Sequence, residues 1–170
     1  AYPLPSMART LSYQGQQISQ NQIGAPDIMA SLTLDTAKKI IEAARAKGRE
    51  MNLKPLTVTV IDAHGVVVAT EREDGSSLLR PKVAFGKAYG AVSLGMGSRA
   101  LFNRAQEQPY FIQSVNALAD GHLVPVPGGV LVKDGGTLVG AVGITGDTSD
   151  NDEAAAIAGI EAVGLTADAG

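Results

Sequence analysis

The chain reads as an α+β fold, an antiparallel sheet flanked by helices in the order α, ββ, ααα, ββ, α. Three observations predict it. Leu56–Ile61 and Val66–Glu73 are β-branched runs joined by the turn Asp62-Ala-His-Gly65, which is a hairpin signature. A second pair of apolar runs brackets Asp134-Gly-Gly136. Helical periodicity fills the spans between and around these hairpins, and the parallel βαβ alternation of a doubly wound sheet is missing.

The first helix opens at Thr33, whose hydroxyl suits free backbone donors, with Asp35 in the favourable first turn. Leu34, Ala37, Ile41 and Ala44 fall on one face. After the first hairpin, Asp74-Gly75 ends the strand and Pro81 suits the first turn of a helix. Phe85, Tyr89, Val92 and Met96 repeat at helical spacing, while Gly86 and Gly90 let another backbone approach. Gly95-Met-Gly97 breaks this helix, and Ser98 is placed to cap the next. Pro109 starts another short helix through Ala119. Gly121–Gly146 then carries the second hairpin. Asp150 and Glu153 have capping-box spacing ahead of a final apolar helix, Ala154–Gly164.

Residues 1–31 are polar, rich in Gln and Asn, and without a period; they read as an extension ahead of one domain over 32–170. Residues 1–6 read either as native or as a remnant ahead of Met7. No leader is legible, so the chain reads as cytoplasmic, or as secreted if a leader was removed before Ala1.

Composition excludes several function classes. The chain has no cysteine, so thiolate metal sites, disulfides and a cysteine nucleophile are ruled out. Its 14 basic and 17 acidic residues give a net charge of −3, against the basic excess of a nucleic-acid binder. No apolar run reaches the roughly 20 residues of a membrane helix. Phosphate-loop, dinucleotide-loop, zincin and nucleophile-elbow motifs are absent. The Gly140-x-x-Gly143-x-x-Gly146 ladder reads as a strand passing close beneath a helix.

The candidate site residues come from charge and from the two histidines. Ser76–Gln106 contains no acid and carries Arg80, Lys82, Lys87, Arg99 and Arg104, with Arg72 just ahead. If Arg72, Arg80 and Lys87 converge, they favour a carboxylate or other small anion. The competing reading pairs these cations with Asp147, Asp150, Asp152 and Glu153. His64 lies in a hairpin turn and faces solvent; His122 precedes the glycine-rich turn and has better access to a pocket. Both are weak metal-ligand candidates. Lys87, His122 and Tyr89 are the acid–base candidates if the protein is an enzyme.

These pieces, in this order, resemble the GlcG/HbpS-like (haem-degrading HbpS-like) family and the C-terminal domain of PduO-type corrinoid adenosyltransferases. The likeness rests on Val60-Ile-Asp62-Ala-His-Gly65, Arg72-Glu-Asp74-Gly75, Lys87-Ala88, Pro127-Gly-Gly129, Gly140-Ala-Val-Gly-Ile-Thr-Gly146 and Asp152-Glu-x-x-Ala156. It covers about residues 33–165. The resemblance implies a profilin-like fold, a homo-oligomer, often an octamer, and haem or a related anionic tetrapyrrole as ligand. It also marks Ser98 as a haem-side oxygen ligand. Two departures stand out: Gly90 replaces a hydroxyl residue of the family helix, and Leu131 replaces a second proline.

Three functions follow as expectations. The leading one is an oligomeric binding protein for haem or a similar tetrapyrrole, with Arg72, Arg80 and Lys87 on its carboxylates. The alternative is an enzyme or accessory protein of a catabolic pathway acting on a small carboxylate. The third is a protein whose assembly is itself the function.

Overall fold

The computed structural model describes residues 32–170; the segment read as an extension, 1–31, lies outside the described residues. The α+β expectation holds, with one added strand. Helix α1 spans Leu34–Glu50, and the Thr33 hydroxyl accepts the Thr36 N–H at 3.2 Å as its cap. Ala37, Ile40, Ile41 and Ala44 are buried. Leu34, expected on the same face, is 52% exposed as the first residue of the helix.

Strand β1, Thr57–Asp62, pairs antiparallel with β2, Val67–Arg72. The Asp62 carboxylate builds the turn by accepting the N–H groups of His64 and Val66 at 2.8 and 3.0 Å. Three helices follow: α2 over Arg80–Leu94, α3 over Ser98–Glu107 and α4 over Pro109–Leu118. Strands β3, Gly129–Asp134, and β4, Thr137–Thr145, form the second hairpin. Helix α5, Ser149–Glu161, and β5, Thr166–Asp168, complete the described chain.

The sheet order is β2-β1-β4-β3-β5, antiparallel throughout. Strand side chains alternate between faces, and each face has its own helical cover. Val58, Val60, Val130, Val132, Val142 and Ile144 pack against α1 and α5. Ile61, Leu131 and Ala141 pack against Ala88 and Ala91 of α2. Burying each large aliphatic side chain contributes about 1.5–3 kcal/mol, so the α1/α5 face carries most of the apolar stabilisation. Among the described residues, no helix is long and apolar enough to cross a membrane.

The α2 face is built from small residues. A Cβ at Gly143 would fall on the carbonyl oxygen of Ala84, and one at Gly129 on that of Lys87. The helix therefore lies directly on the backbone of β3 and β4, as the glycine ladder predicts for Gly143. Gly140 and Gly146 instead face Ile61 and Pro55.

The expected caps change partners. Helix α5 is capped by Thr148, whose hydroxyl accepts the Asn151 N–H at 3.3 Å, not by an Asp150–Glu153 box. Both of those carboxylates are drawn to Arg99 instead. Ser98 is the first residue of α3 and caps nothing in it.

Candidate functional site

Helix α2 carries most of the predicted site residues, and it divides them into two groups. The middle of the helix is closed. Lys87 is 2% exposed, and its Nζ donates to the Ile144 carbonyl and to Asp152 Oδ2, each at 2.9 Å. The other Asp152 oxygen accepts the Asp147 N–H at 3.0 Å. Burial pushes the Lys87 ammonium below its ordinary range and the Asp152 carboxyl above its own, and their mutual contact opposes both shifts. Lys87 therefore joins α2 to β4 and α5. It does not converge with Arg72 on an open anion, and it is not exposed as an acid–base group.

Ser98 and Arg99 extend this closed region. The fully buried Ser98 hydroxyl accepts the Gly129 N–H at 2.6 Å. Arg99 Nε donates to both oxygens of Glu153 at 2.9 and 3.1 Å, and its Nη2 lies 2.5 Å from Asp150. The competing reading of the basic segment, pairing with the acids after β4, is thus what the fold does with Lys87 and Arg99.

The N-terminal end of α2 is open. A cavity of about 530 Å³ lies between this end, the β1–β2 hairpin and the segment leading out of α4. Thr59 and Thr70 form its polar floor, with the Thr70 hydroxyl donating to that of Thr59 at 3.1 Å. Val67, Leu79, Val83, Phe85 and Val124 make apolar walls, and Lys82 and His122 add polar groups.

Local backbone explains how His122 arrives there. After α4 the chain turns through Asp120 and Gly121, both at positive φ. It then crosses α2 at Gly86, where Val124 N–H donates to the Gly86 carbonyl at 3.1 Å. A Cβ at Gly86 would lie 2.8 Å from the His122 carbonyl oxygen, so a side chain there would push this segment away. The crossing sets the His122 ring edge-on to Phe85 and Tyr89, at centroid distances of 6.0 and 6.1 Å. Phe85 and Tyr89 stack at 5.3 Å, one helical turn apart.

The other candidates separate clearly. His64 is 83% exposed in its turn and does not line the cavity. Arg80 Nη1 donates to Thr145 Oγ1 at 2.6 Å, and Arg72 Nη1 to the Ser76 carbonyl at 3.1 Å. Neither arginine lies within 4.0 Å of a carboxylate among the described residues. Gly90 opens no room for a ligand, because Leu123 packs 3.0 Å from where its Cβ would be.

Sequence reasoning missed Thr59, Thr70, Leu79 and Phe85 as site residues. The hairpin register, which sets Thr59 opposite Thr70, was the available signal for the hydroxyl floor. Among the described residues, no three of His, Asp and Glu group as metal ligands.

Comparison with known proteins places this arrangement in a family. The HbpS-like family model, described as haem degrading protein HbpS-like, matches residues 32–161. An uncharacterized 15.0 kDa protein from the dhaT-dhaS intergenic region of Citrobacter freundii is 31% identical over 126 residues, covering 73% of this chain and 86% of that protein. The crystal structure of a PduOC:heme complex superposes with a TM-score of 0.72 at 25% identity, covering 79% of this chain and 96% of that one. A double mutant of Streptomyces reticuli HbpS superposes with a TM-score of 0.66 at 26% identity, covering 92% and 97%. The chain belongs to the HbpS-like family.

Proposed function

We propose that residues 32–170 form a binding domain for haem or a related anionic tetrapyrrole, seated in the cavity at the N-terminal end of α2. The observation that carries this reading is His122, an imidazole packed at right angles to Phe85 and Tyr89 on the border of a largely apolar cavity of about 530 Å³. That volume falls within the ~300–1,000 Å³ of small-molecule sites. A lone imidazole is a poor site for a bare ion. It is the usual single protein ligand for an iron already held by a macrocycle.

The residues present fit such a group. Leu79, Val83, Phe85 and Val124 would lie against the macrocycle, His122 would ligate the iron, and Lys82 would face a carboxylate. The bound haem supplies the redox and ligand-binding chemistry of its iron. The chain's own part is to exclude water from one face, fix the imidazole and neutralise acid groups. The PduOC:heme complex, whose fold this chain shares, supports the ligand class. Ser98 and Lys87 are not assigned to the ligand, because both are buried with partners.

The family resemblance also leads us to infer a homo-oligomer, with an octamer as the expected size; light scattering measures it. A net charge of −3 gives no reason to add a nucleic-acid partner.

Hemin titration followed by the Soret band tests the binding reading. Wild type should give a saturable, shifted band. His122→Ala should lose that spectrum and bind more weakly, while His64→Ala should match wild type. No saturable shift, or the same spectrum from His122→Ala, would remove the assignment.

A further inference from the structure

We propose that Arg80, in the first turn of α2, forms an oxyanion site with Arg72 and Thr57 that takes a carboxylate or phosphate group of the cavity's ligand. Three independent observations converge on it.

The first is the helix end itself. Helices α1 and α5 begin with a threonine cap and carry Asp35, or Asp150 and Asp152, in the first turn. Helices α2, α3 and α4 have neither, and α2 places two cations, Arg80 and Lys82, in its first turn. The positive end of the helix dipole disfavours cations and favours an anion. In α3 the first-turn cation, Arg99, is bound by Glu153 and Asp150, whereas no carboxylate lies within 4.0 Å of Arg80 among the described residues.

The second is the pair of arginines. Thr57 registers with Arg72 on one side and with Thr145 on the other, so all three side chains share the sheet face that α2 covers. Arg80 reaches down from α2 to Thr145 in this same row. Two guanidiniums therefore face one row, each bound to a neutral oxygen and neither to a carboxylate among the described residues. A guanidinium is built to hold an oxyanion through two parallel bonds.

The third is Thr57. Its hydroxyl is fully buried, lies between Arg72 and Thr145 in the row, and has no hydrogen-bond partner among the described residues. A buried hydroxyl without a partner is unfavourable, and such groups call for an explanation. An oxyanion held by Arg80 and Arg72 above this row would supply the missing acceptor.

The site adjoins the cavity through Leu79, Pro81 and Lys82, which line it. The ligand is therefore amphipathic, with an apolar body over Leu79 and Phe85 and an acid group at Arg80. The nature of that body rests on the proposed function; the oxyanion site does not.

Amide correlation spectra of the full chain, titrated with inorganic phosphate at constant ionic strength against a chloride control, test it. Saturable shifts are expected at Leu79, Arg80 and Val83, at Arg72 and at Thr57. Arg80→Gln should weaken phosphate roughly tenfold or more, as expected for a lost charge-assisted bond. Arg72→Gln, a change at an exposed side chain, should weaken it in the same direction and keeps the test open if Arg80→Gln fails to fold. Acetate run beside phosphate tells which acid is preferred, and a saturable response to either supports the site. A saturable phosphate response in wild type that gives no shifted Soret band with hemin would sink the haem reading and keep the oxyanion site, so the two failures are separate results. No saturable shift, an equal response to chloride, or full affinity in both arginine variants would overturn the proposal.

Discussion

The middle and the start of α2 treat positive charge in opposite ways. At its centre, Lys87 is sealed from water and bound to Asp152 and the Ile144 carbonyl. At its start, Arg80 and Lys82 stand at the wrong end of a helix dipole, beside a cavity and with no carboxylate within 4.0 Å among the described residues. Both sets belong to the same acid-free stretch of sequence. The difference lies in what the rest of the chain brings to them. Helix α5 delivers Asp152 to Lys87 and Glu153 to Arg99, whereas the end of β4 delivers only the Thr145 hydroxyl to Arg80. A satisfied cation holds the fold together, and an unsatisfied one is left for a ligand.

The largest effect expected from breaking this contrast is at the closed middle. Asp152→Ala leaves the Lys87 ammonium buried and unpaired, which should cost about 3–5 kcal/mol in chemical denaturation. Replacing both partners by apolar residues, Lys87→Met with Asp152→Leu, should recover most of that loss. A double variant as unstable as the single one would show that the pair is not acting as a unit.

Ser98→Ala comes next. It removes the acceptor of the buried Gly129 N–H and should cost about 1–3 kcal/mol, while leaving hemin titration unchanged. Loss of hemin binding in a folded Ser98→Ala protein would return this hydroxyl to the ligand.

The smallest effect concerns pH. The Asn151 amide, with the Lys54 and Thr148 N–H groups, holds the Asp147 carboxyl down to about 2, from an ordinary value of 3.8. A depressed carboxyl stabilises the fold above its unfolded value, and that contribution is lost as pH falls through the folded one. The difference in melting temperature between wild type and Asp147→Asn should thus be constant near neutrality and close between about pH 4 and pH 2. A difference that persists unchanged below that window would contradict the assignment.

Much of the fold was legible because its signals are local. Thr33 caps α1, Asp62 and Gly65 build the first turn, and Pro81 sits in the first turn of α2 as read. Strand β5 was missed because Thr166–Asp168 is three residues long and shows no alternation to read. The site was legible only in part. Arg72, Arg80 and His122 carry recognisable chemistry, yet their partners depend on contacts distant in sequence. Asp152 lies 65 residues from Lys87, so nothing near Lys87 marks it as structural. Ser98 looked like a cap because Gly129, whose N–H it binds, is 31 residues away. The oxygens of Thr57 and Thr59 became visible only when the register placed them on the face that α2 covers.

The most direct test of where ligand chemistry lives is a map of a bound porphyrin on the folded chain. A diamagnetic gallium porphyrin added to labelled protein should shift the amides of Thr59, Val67, Leu79, Phe85, Gly121 and Val124. The amides of Lys87, Ser98 and Asp152 should stay in place. Shifts centred on Ser98, Arg99 and Asp152, with the cavity residues unmoved, would contradict the account.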